Sequence, residues 1–368
     1  GGGKSFFINF LLMLFSIYVK QDSWYLSIID MGGSYERLCK LFGGTYIRIE
    51  INSKYAISIF PTKQKVLNEH GAIDNDQLIF LSQIMQTLIS DGRESTKNEM
   101  GLIQKAIKRM YDKESGHITL KCFETYFSEV GIDDKDKEFV RDSIKNLTIY
   151  NDPDQPYYSL LNSERTLDMS NPFLVFDITS LADHPLLSNV YLQIISNHVR
   201  LRMFNSQTAS KKQLVIRDEV WKLLQDPVQA QFIGEEYRTA RKYGTTLISV
   251  SQGIDDFLGD HVAPIRANSK ITCVTPLSQS DQPHKLTHYN FNDNEISACL
   301  ALKKSKKKYS QIFFKMGDTD QFICHLEPNE MEKQVCSRDF ESAQDYKALS
   351  DMSRDELFEE MKIKCGIS

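Results

Sequence analysis

The sequence lacks an apolar stretch long enough to cross a membrane. Its longest such run, Phe6 to Val19, covers 14 residues and includes Asn9 and Ser16, whereas a membrane-spanning helix needs about 20 apolar residues. A run of this length also fits a secretory signal, but no small-x-small cleavage site follows it in KQDSWYLSIID. We therefore expect a buried helix here and no transmembrane segment in this chain.

Paired cysteines and an excess of positive charge are also missing. None of the seven cysteines forms a C-x-x-C pair, and no histidine lies at zinc-site spacing from a pair. We therefore expect reduced thiols in a cytoplasmic protein. The net charge of −5 and the pI near 6.0 argue against a passive nucleic-acid coat, although they allow a local basic groove.

What the sequence does contain is an alternation of strand and helix patterns, interrupted once. The runs WYLSIID and TYIRIE are strand-like, and the same rhythm resumes at NPFLVFDI and continues through QLVIRDE and TTLISVSQG. This rhythm predicts an α/β fold with a mainly parallel sheet covered by helices. Between about residues 75 and 150 nearly every segment has helical period. We therefore predict an all-α insertion whose flanking strands belong to a single sheet.

These patterns divide the chain into four parts. We expect the first part of the α/β domain at residues 1–65, a helical insertion subdomain at 66–165, the second part of the α/β domain at 166–326 and a C-terminal helical arm at 327–368. Within the third part, YSQIFFKM and DQFICHL predict two antiparallel strands joined by the turn GDT. The charged residues of the arm predict helices at the periphery.

The motif GGGKS at the start carries the first chemical signal. A phosphate-binding loop has the pattern G-x-x-x-x-G-K-[ST] before a helix, and its backbone N–H groups hold phosphate oxygens. Gly3, Lys4 and Ser5 match the last three positions, with Gly1 and Gly2 before them, so we expect the rest of the loop to precede this sequence. Lys4 would reach the β- and γ-phosphates and Ser5 would bind Mg²⁺. A flexible glycine start on a buried helix is the alternative.

Two later strands end in polar residues. QLVIRDE ends in Asp218 and Glu219, and a nucleotide hydrolase needs one carboxylate near Mg²⁺ and another to activate water. We expect Asp218 to hold the metal and Glu219 to be the general base. Gln252, at the end of TTLISVSQG, would contact the γ-phosphate or orient water, because ligands bind at the carboxyl ends of parallel strands. The alternative for all three residues is an ordinary polar turn.

Two arginines on one predicted helix and a third in a strand stand out. Arg238 and Arg241 in EEYRTARKYG share a helix face, and an arginine from a neighbouring subunit can stabilise charge in phosphoryl transfer. The alternative is an ordinary surface, paired with nearby glutamates. Arg217 occupies a strand position that is usually apolar, opposite in direction to Asp218. A charge there needs a partner or an exposed edge.

Weaker features allow two interpretations each. Asp30 and Asp177 each end a strand, and either face a nucleotide or cap the next turn. The basic run KKSKKK at 303–308 either contacts nucleic acid or anionic lipid or is a solvated loop, which we favour. Trp221, just after the acidic pair, is most simply a packing anchor.

Taken together, five segments resemble the conjugative-transfer ATPases of type IV secretion systems, in particular their TraC-like branch. The segments are GGGKS, IIDMGGSYERLCKLFGGTYIRI, LVIRDEVWKLL, FIGEEYRTARKYG and ISVSQGIDDF, and they cover the whole α/β part in the family's order. The resemblance implies a RecA-like P-loop NTPase fold with an inserted helical subdomain, ATP and Mg²⁺ as cofactors, and a hexamer that hydrolyses ATP at its subunit interfaces. The residues that match the family's motifs are Lys4, Ser5, Asp218, Glu219, Gln252, Arg238 and Arg241.

The function implied by this resemblance is that of a motor for bacterial conjugation or type IV secretion, which energises pilus assembly or substrate transfer. Its partners would be other subunits of the apparatus, at the cytoplasmic face of the inner membrane, and a nucleic-acid or protein substrate. The alternative is a DNA-translocating ATPase of the coupling-protein or FtsK/HerA kind. A scaffold that binds nucleotide without turnover is disfavoured by the intact Lys4, Asp218 and Glu219.

Overall fold

The structure is a computed structural model. It describes residues 3–18, 23–51, 58–90, 93, 95–162, 169–204, 211–225, 227–277, 282–305, 308–336 and 352–365. The described strands follow the apolar runs of the sequence. In chain order they are β1 (Trp24–Asp30), β2 (Thr45–Arg48), β3 (Phe173–Asp177), β4 (Lys212–Arg217), β5 (Thr245–Ser249), β6 (Ile271–Val274), β7 (Lys304–Ser305), β8 (Tyr309–Met316) and β9 (Asp320–Leu326).

The described helices include a long continuous series between β2 and β3. In chain order the helices are α1 (Lys4–Tyr18), α2 (Glu36–Leu41), α3 (Lys63–Val66), α4 (Asn75–Ile89), α5 (Lys97–Lys113), α6 (Leu120–Phe127), α7 (Asp134–Asn151), α8 (Tyr158–Leu161), α9 (Pro185–Phe204), α10 (Trp221–Leu224), α11 (Pro227–Thr239), α12 (Ala263–Asn268), α13 (Asp293–Leu300), α14 (Glu330–Cys336) and α15 (Arg354–Lys364). None of the described helices combines the length and the apolar character that crossing a membrane requires.

Five strands form one sheet in the order β2-β3-β1-β4-β5. β1 pairs with β4 in parallel, with Ile29 opposite Arg217, and β4 pairs with β5 in parallel, with Arg217 opposite Ser249. Strands from before and after the helical segment therefore lie in one sheet, as the sequence predicts. Because β1, β4 and β5 run in the same direction, their carboxyl ends meet at one edge of the sheet, where ligands bind in such folds.

The strands of the second, four-stranded sheet pair in antiparallel fashion around β8. β8 and β9 form the predicted hairpin, and Gly317 in its turn has φ 66°, a conformation that favours glycine. The basic run 303–308 lies partly in β7, where Lys304 is opposite Ser310. Residues 306 and 307 lie outside the described residues.

The chain forms two compact units, each made of segments that are separate in sequence. The first comprises Gly1–Tyr46, Asn171–Val175 and Ser206–Ser368, and the second comprises Ile47–Ser170 and Phe176–Asn205. The second unit therefore takes in α9, which the sequence assigns to the second part of the α/β domain. It begins at residue 47, well before the predicted boundary at 66.

The physical reason is that α9 packs on the helical series of the second unit. α4 contacts α5, α7 and α9, and a reciprocal pair of buried amides joins α4 to α9. Gln77 Nε2 donates to Asn197 Oδ1 at 3.1 Å, and Asn197 Nδ2 donates to Gln77 Oε1 at 3.0 Å. Gln77 and Asn197 are 120 positions apart in the sequence. The hydrophobic periodicity of each helix therefore does not predict that the two helices pair.

The core of the first unit lies between the sheet and helices α1, α2, α14 and α15. The apolar run at the start of the chain forms α1, as predicted, and buries Phe7, Ile8 and Leu12 there. The last helices are not peripheral, contrary to the sequence-based expectation. Val335 and Met361 are buried in the same core, because a few apolar side chains on otherwise charged helices face α1 and α2.

Candidate active site

The site begins where α1 begins. Gly3 has φ 82°, a left-handed backbone that favours glycine, and its carbonyl accepts the first helical hydrogen bond, from Phe7 N at 2.9 Å. Lys4 and Ser5 form the first turn of α1, and both are half-buried. The first N–H groups of a helix have no acceptor within the helix and favour an anion. Gly1 and Gly2 lie outside the described residues.

Ser5 and the carboxylate that follows β4 meet directly. Ser5 Oγ donates a hydrogen bond to Asp218 Oδ2 at 2.9 Å, across 213 residues of sequence. Tyr35 Oη donates to the same oxygen at 2.9 Å. Burial raises the pKa of Asp218, and these two hydroxyl groups act in the opposite direction without cancelling the effect. The structure thus brings together two of the residues predicted for the site.

Tyr35 is placed by the loop that follows β1. It is fully buried and directly precedes α2. The loop is held by Asp30, whose carboxylate accepts hydrogen bonds from Gly32 N at 2.8 Å and Ser34 N at 2.6 Å. Asn9 ties this loop to α1, because its amide Nδ2 donates to the carbonyls of Ser34 at 2.9 Å and Ser5 at 3.0 Å. The loop after β1 is therefore joined to the first turn of α1 by one buried amide.

Glu219 sits beside Asp218 in a left-handed backbone, with φ 53°. Such a conformation is uncommon for a residue with a side chain and concentrates at functional sites. Both carboxylate oxygens are engaged: Oε1 accepts from Gln252 Nε2 at 2.5 Å, and Oε2 accepts from Trp221 Nε1 at 2.8 Å. Glu219 is half-buried and Gln252 is exposed. The predicted base and the predicted sensor glutamine are thus in contact.

Arg217 has the partner that a charge at its position requires. It is 1% exposed, and its Nη2 donates to Glu236 Oε2 on α11 at 2.5 Å. Two other guanidinium nitrogens, Nε and Nη1, find no hydrogen-bond partner. The end of β4 is therefore buried, and of the two alternatives for Arg217 the structure shows a charged partner and not an exposed edge.

The structure does not bring the predicted arginines to Asp218 or Glu219 by any hydrogen bond or ion pair among the described residues. Arg238 is exposed and pairs with Glu235 one helical turn earlier. Arg241 follows in a short 3₁₀ helix, Ala240–Tyr243, and is exposed as well. Exposure is what a role at a neighbouring subunit needs, and it is also what an ordinary surface shows, so their role stays a prediction.

The family model for the TraG P-loop domain matches residues 1–353 of the 368. The chain belongs to the TraG P-loop domain family. This membership confirms the family resemblance predicted from the motifs.

Two relatives share limited sequence identity with this TraG-family chain. The type IV secretion system protein virB4 of Bartonella quintana (strain Toulouse) is 20% identical over 266 residues, which are 72% of this chain and 30% of that protein. Protein TraC of Escherichia coli (strain K12) is 24% identical over 269 residues, which are 71% of this chain and 29% of that protein. The chain therefore spans about 30% of the length of these relatives.

Solved structures show the same fold. VirB4 of Thermoanaerobacter pseudethanolicus superposes with a TM-score of 0.69 at 18% identity, covering 90% of this chain and 88% of that one. The bacterial conjugative coupling protein TrwBdeltaN70 superposes with a TM-score of 0.53 at 11% identity, covering 89% and 82%. The predicted P-loop NTPase fold with a helix-covered parallel sheet is confirmed.

Both of the weaker aspartates bond to the turns that follow them. In this TraG-family domain, Asp30 holds the loop after β1. In the second unit, Asp177 Oδ1 accepts hydrogen bonds from Thr179 N at 2.9 Å and Thr179 Oγ1 at 2.5 Å, and its Oδ2 lies 3.6 Å from Arg48 Nε. Capping of the next turn is therefore the role that the structure gives each of them.

The sequence did not reveal the contacts of three residues in this candidate site. The positions of Tyr35 and Asn9 in the sequence do not indicate that Tyr35 contacts Asp218 or that Asn9 bonds the loop after β1. Asn9 did have a weak signal, since a lone amide in an apolar helix must find hydrogen-bond partners once buried. Trp221 was expected to be a packing anchor, and its indole N–H instead bonds the predicted base.

Proposed function

We propose that this chain is the ATP-hydrolysing motor domain of a bacterial conjugation or type IV secretion apparatus, which energises pilus assembly or substrate transfer. The observation that supports it most is the 2.9 Å hydrogen bond from Ser5 Oγ to Asp218 Oδ2. This bond joins the end of a phosphate-loop motif to the acidic end of β4, with Glu219 adjacent. The names of the virB4 and TraC relatives support the secretion context.

Nucleotide phosphates would bind at the N-terminus of α1. Backbone N–H groups of the first helical turn point outward there and favour negative charge. Lys4, half-buried in that turn, would place its ammonium against the β- and γ-phosphates of ATP. The same loop that carries Tyr35 is fastened to this turn through Asn9, so the phosphate-binding end of α1 is held before the nucleotide arrives.

Mg²⁺ fits the pair formed by Ser5 and Asp218. A hydroxyl and a carboxylate in direct contact are hard oxygen donors of the kind that Mg²⁺ prefers, and Mg²⁺ retains several of its waters in such sites. Ser5 would bind the ion directly and Asp218 through water. The ion supplies charge neutralisation on the β- and γ-phosphate oxygens.

Glu219 would act as the general base in hydrolysis. The water oxygen forms a bond to the γ-phosphorus while the bond to the bridging oxygen breaks, ADP leaves, and the water proton passes to the Glu219 carboxylate. Gln252, already within hydrogen-bond distance of Glu219 Oε1, would orient the water or contact the γ-phosphate. Both groups stand at the carboxyl edge of the sheet.

We further propose that the active form is a self-associated ring, as a hexamer, at the cytoplasmic face of the inner membrane with other subunits of the apparatus. Arg238 and Arg241, exposed on α11 and the 3₁₀ helix after it, would act on the nucleotide of a neighbouring subunit. Burying the charge of the transition state between subunits makes such an arginine effective in phosphoryl transfer.

Two substitutions in the full-length protein test the motor activity. Lys4→Ala should abolish ATP binding, because it removes the charge at the phosphates. Glu219→Gln should preserve ATP affinity and reduce hydrolysis by about 100-fold or more, since it removes the base and leaves the phosphate site intact. ATP affinity measured with a fluorescent analogue and phosphate release measured in steady state separate the two. Wild-type hydrolysis by Glu219→Gln contradicts the assignment of the base.

The alternative function is that of a DNA-translocating ATPase, and an experiment can distinguish it from the proposed secretion motor. The likeness to TrwBdeltaN70 is one of fold. The discriminating measurement is ATPase activity with and without double-stranded DNA, together with displacement of a third strand from a triplex. Activity that DNA leaves unchanged supports the secretion motor, whereas DNA-stimulated activity with strand displacement supports the translocase.

A further inference from the structure

We propose that Trp221 is a positioning residue that fixes the orientation of the Glu219 carboxylate through its indole N–H. This inference rests on the proposed function, in which Glu219 is the base. Its direct observation is the 2.8 Å hydrogen bond from Trp221 Nε1 to Glu219 Oε2. The assignment goes beyond packing, which is the role that the sequence suggests for this tryptophan.

The two oxygens of Glu219 have different kinds of partner. Oε2 is bonded by the indole N–H of Trp221, which is the first residue of α10 and lies two positions after Glu219. Oε1 is bonded by Gln252, whose side chain is exposed. Oε2 is therefore the anchored oxygen, and Oε1 is the one that receives the proton once Gln252 turns away.

The backbone explains why a separate anchor is needed. With φ 53°, Glu219 departs from the extended backbone of β4. The peptide on either side is held by hydrogen bonds, Asp218 N to Ile29 O at 2.9 Å and Val220 N to Val250 O at 3.0 Å. These bonds fix the Cα of Glu219 but leave its side-chain torsions free. The indole N–H supplies the missing constraint.

The burial of Trp221 fits a side chain that orients Glu219 better than one that packs in the core. Its side chain is half-buried, whereas the neighbouring Val220 and Leu223 are buried. The Lys222 ammonium lies 5.6 Å from the centre of its ring. A ring in this position contributes less apolar burial than its size allows, so the hydrogen bond to Glu219 is the contact that distinguishes tryptophan from another aromatic residue here.

The test uses the full-length protein and two tryptophans of this sequence, Trp24 and Trp221. Trp221→Phe keeps a ring and removes the N–H. The expected result is a fall in kcat of about tenfold with nucleotide affinity and KM changed less than twofold, because a misoriented base slows the chemical step without weakening binding. Trp24→Phe is the matched control, since Trp24 packs edge-on against Phe15 at 4.7 Å. Its kcat should equal that of the wild type.

A second measurement keeps Trp221 in place and so does not depend on the folding of Trp221→Phe. In ¹⁵N-labelled Trp24→Phe protein, the indole N–H resonance of Trp221 reports the bond to Glu219. Adding Glu219→Ala should move this resonance upfield, as expected on loss of a charged acceptor. An unchanged resonance overturns the proposal.

The possible failures are distinct. If Glu219→Gln abolishes hydrolysis while Trp221→Phe retains the kcat of the wild type, the positioning role is wrong and the proposed function stands. If Glu219→Gln retains hydrolysis, the base itself is misassigned, and the positioning role is overturned with it. Equal loss of activity in Trp24→Phe and Trp221→Phe also overturns it, because a general effect on packing then suffices.

Discussion

His198 illustrates at the scale of one residue how burial sets the charge of a side chain. It lies on α9 in the second unit, is buried, and Nε2 donates to the carbonyl of Ser58 at 3.2 Å. Burial lowers the pKa of His198 from its ordinary value of 6.5 to about 4, with the charge of Lys65 acting in the same direction. The imidazole is therefore neutral in the folded protein at neutral pH.

We predict that His198 lowers the free energy of unfolding as the pH decreases. Between pH 6.5 and pH 4 the unfolded chain binds a proton that the folded chain excludes, so the contribution of His198 is complete above pH 6.5 and falls as the pH decreases. Between pH 7 and pH 5 the loss amounts to about 2 kcal/mol. His198→Gln, which retains a donor and does not titrate, should remove that part of the pH dependence in urea unfolding.

The matched control for this prediction is His70→Gln. His70 is exposed in the same unit, so its replacement measures the effect of a histidine-to-glutamine change at the surface. A difference between wild type and His198→Gln that does not change between pH 7 and pH 5 contradicts the assignment of the effect to His198.

The residues of the site differ in how far the sequence predicts them. Lys4, Ser5, Asp218 and Glu219 can be proposed from the sequence, because phosphate binding and water activation would require these residue types next to glycine or at the end of a strand. Tyr35 cannot be, because its bond to Asp218 Oδ2 joins positions 183 residues apart. A tyrosine after GGS has no local feature that indicates such a partner, and only the parallel pairing of β1 with β4 brings the two together.

At the scale of elements, the C-terminal helices show how few apolar residues suffice to bury a helix. α15 carries mostly charged side chains, and the sequence predicts it at the periphery. In the structure Leu357 and Met361 are 2% and 3% exposed in the core of the first unit, whereas Ile363 is 76% exposed. Periodicity finds such a helix, but the side that it buries depends on α2 and α14, which pack against it.

Met361→Ala should therefore destabilise the first unit. Truncation of a buried methionine removes apolar contact and leaves a cavity, which costs about 2–5 kcal/mol. The control in the same helix is Ile363→Ala, which should change the free energy of unfolding by less than about 0.5 kcal/mol because the side chain is exposed. Urea unfolding followed by circular dichroism measures both. Equal effects of the two substitutions mean that α15 does not pack on the core.

The helical elements were the most predictable part of the fold. The segments between residues 75 and 150 have clear helical period, and α4 to α7 lie there. Strong end signals support them: Thr96 and Glu99 form a reciprocal capping box at the start of α5, and Asp74 caps α4. What periodicity does not reveal is that α9, separated from them by β3, belongs to the same unit, because contacts between distant helices leave no mark on the spacing of either one.

At the scale of the whole molecule, the proposed ring predicts that subunits complement one another. The double variant Arg238→Ala, Arg241→Ala should be inactive in ATP hydrolysis, and so should Lys4→Ala. Mixing the two should restore part of the activity, because an intact phosphate site of the first then meets the arginines of the second. The measurement is phosphate release as a function of mixing ratio and of total protein concentration.

The control for complementation is a triple variant that carries Arg238→Ala, Arg241→Ala and Glu219→Gln in the same subunit. When it is mixed with Lys4→Ala, the mixture should stay inactive, because every site then lacks either Lys4 or Glu219. Activity of the arginine variant alone equal to that of the wild type, or no recovery on mixing with Lys4→Ala, contradicts a role of Arg238 and Arg241 between subunits.

The sequence by itself determined the class of the molecule. Glycine followed by Lys4 and Ser5, an acidic pair after an apolar strand, and alternating strand and helix periods are local patterns, and local backbone geometry and phosphate chemistry require them. Tertiary structure alone decided which donors reach the acids. Tyr35, Trp221 and Gln252 gain their partners from the order of β1, β4 and β5 and from the turn at Glu219, because a contact made through folding depends on the path of the chain between its two residues.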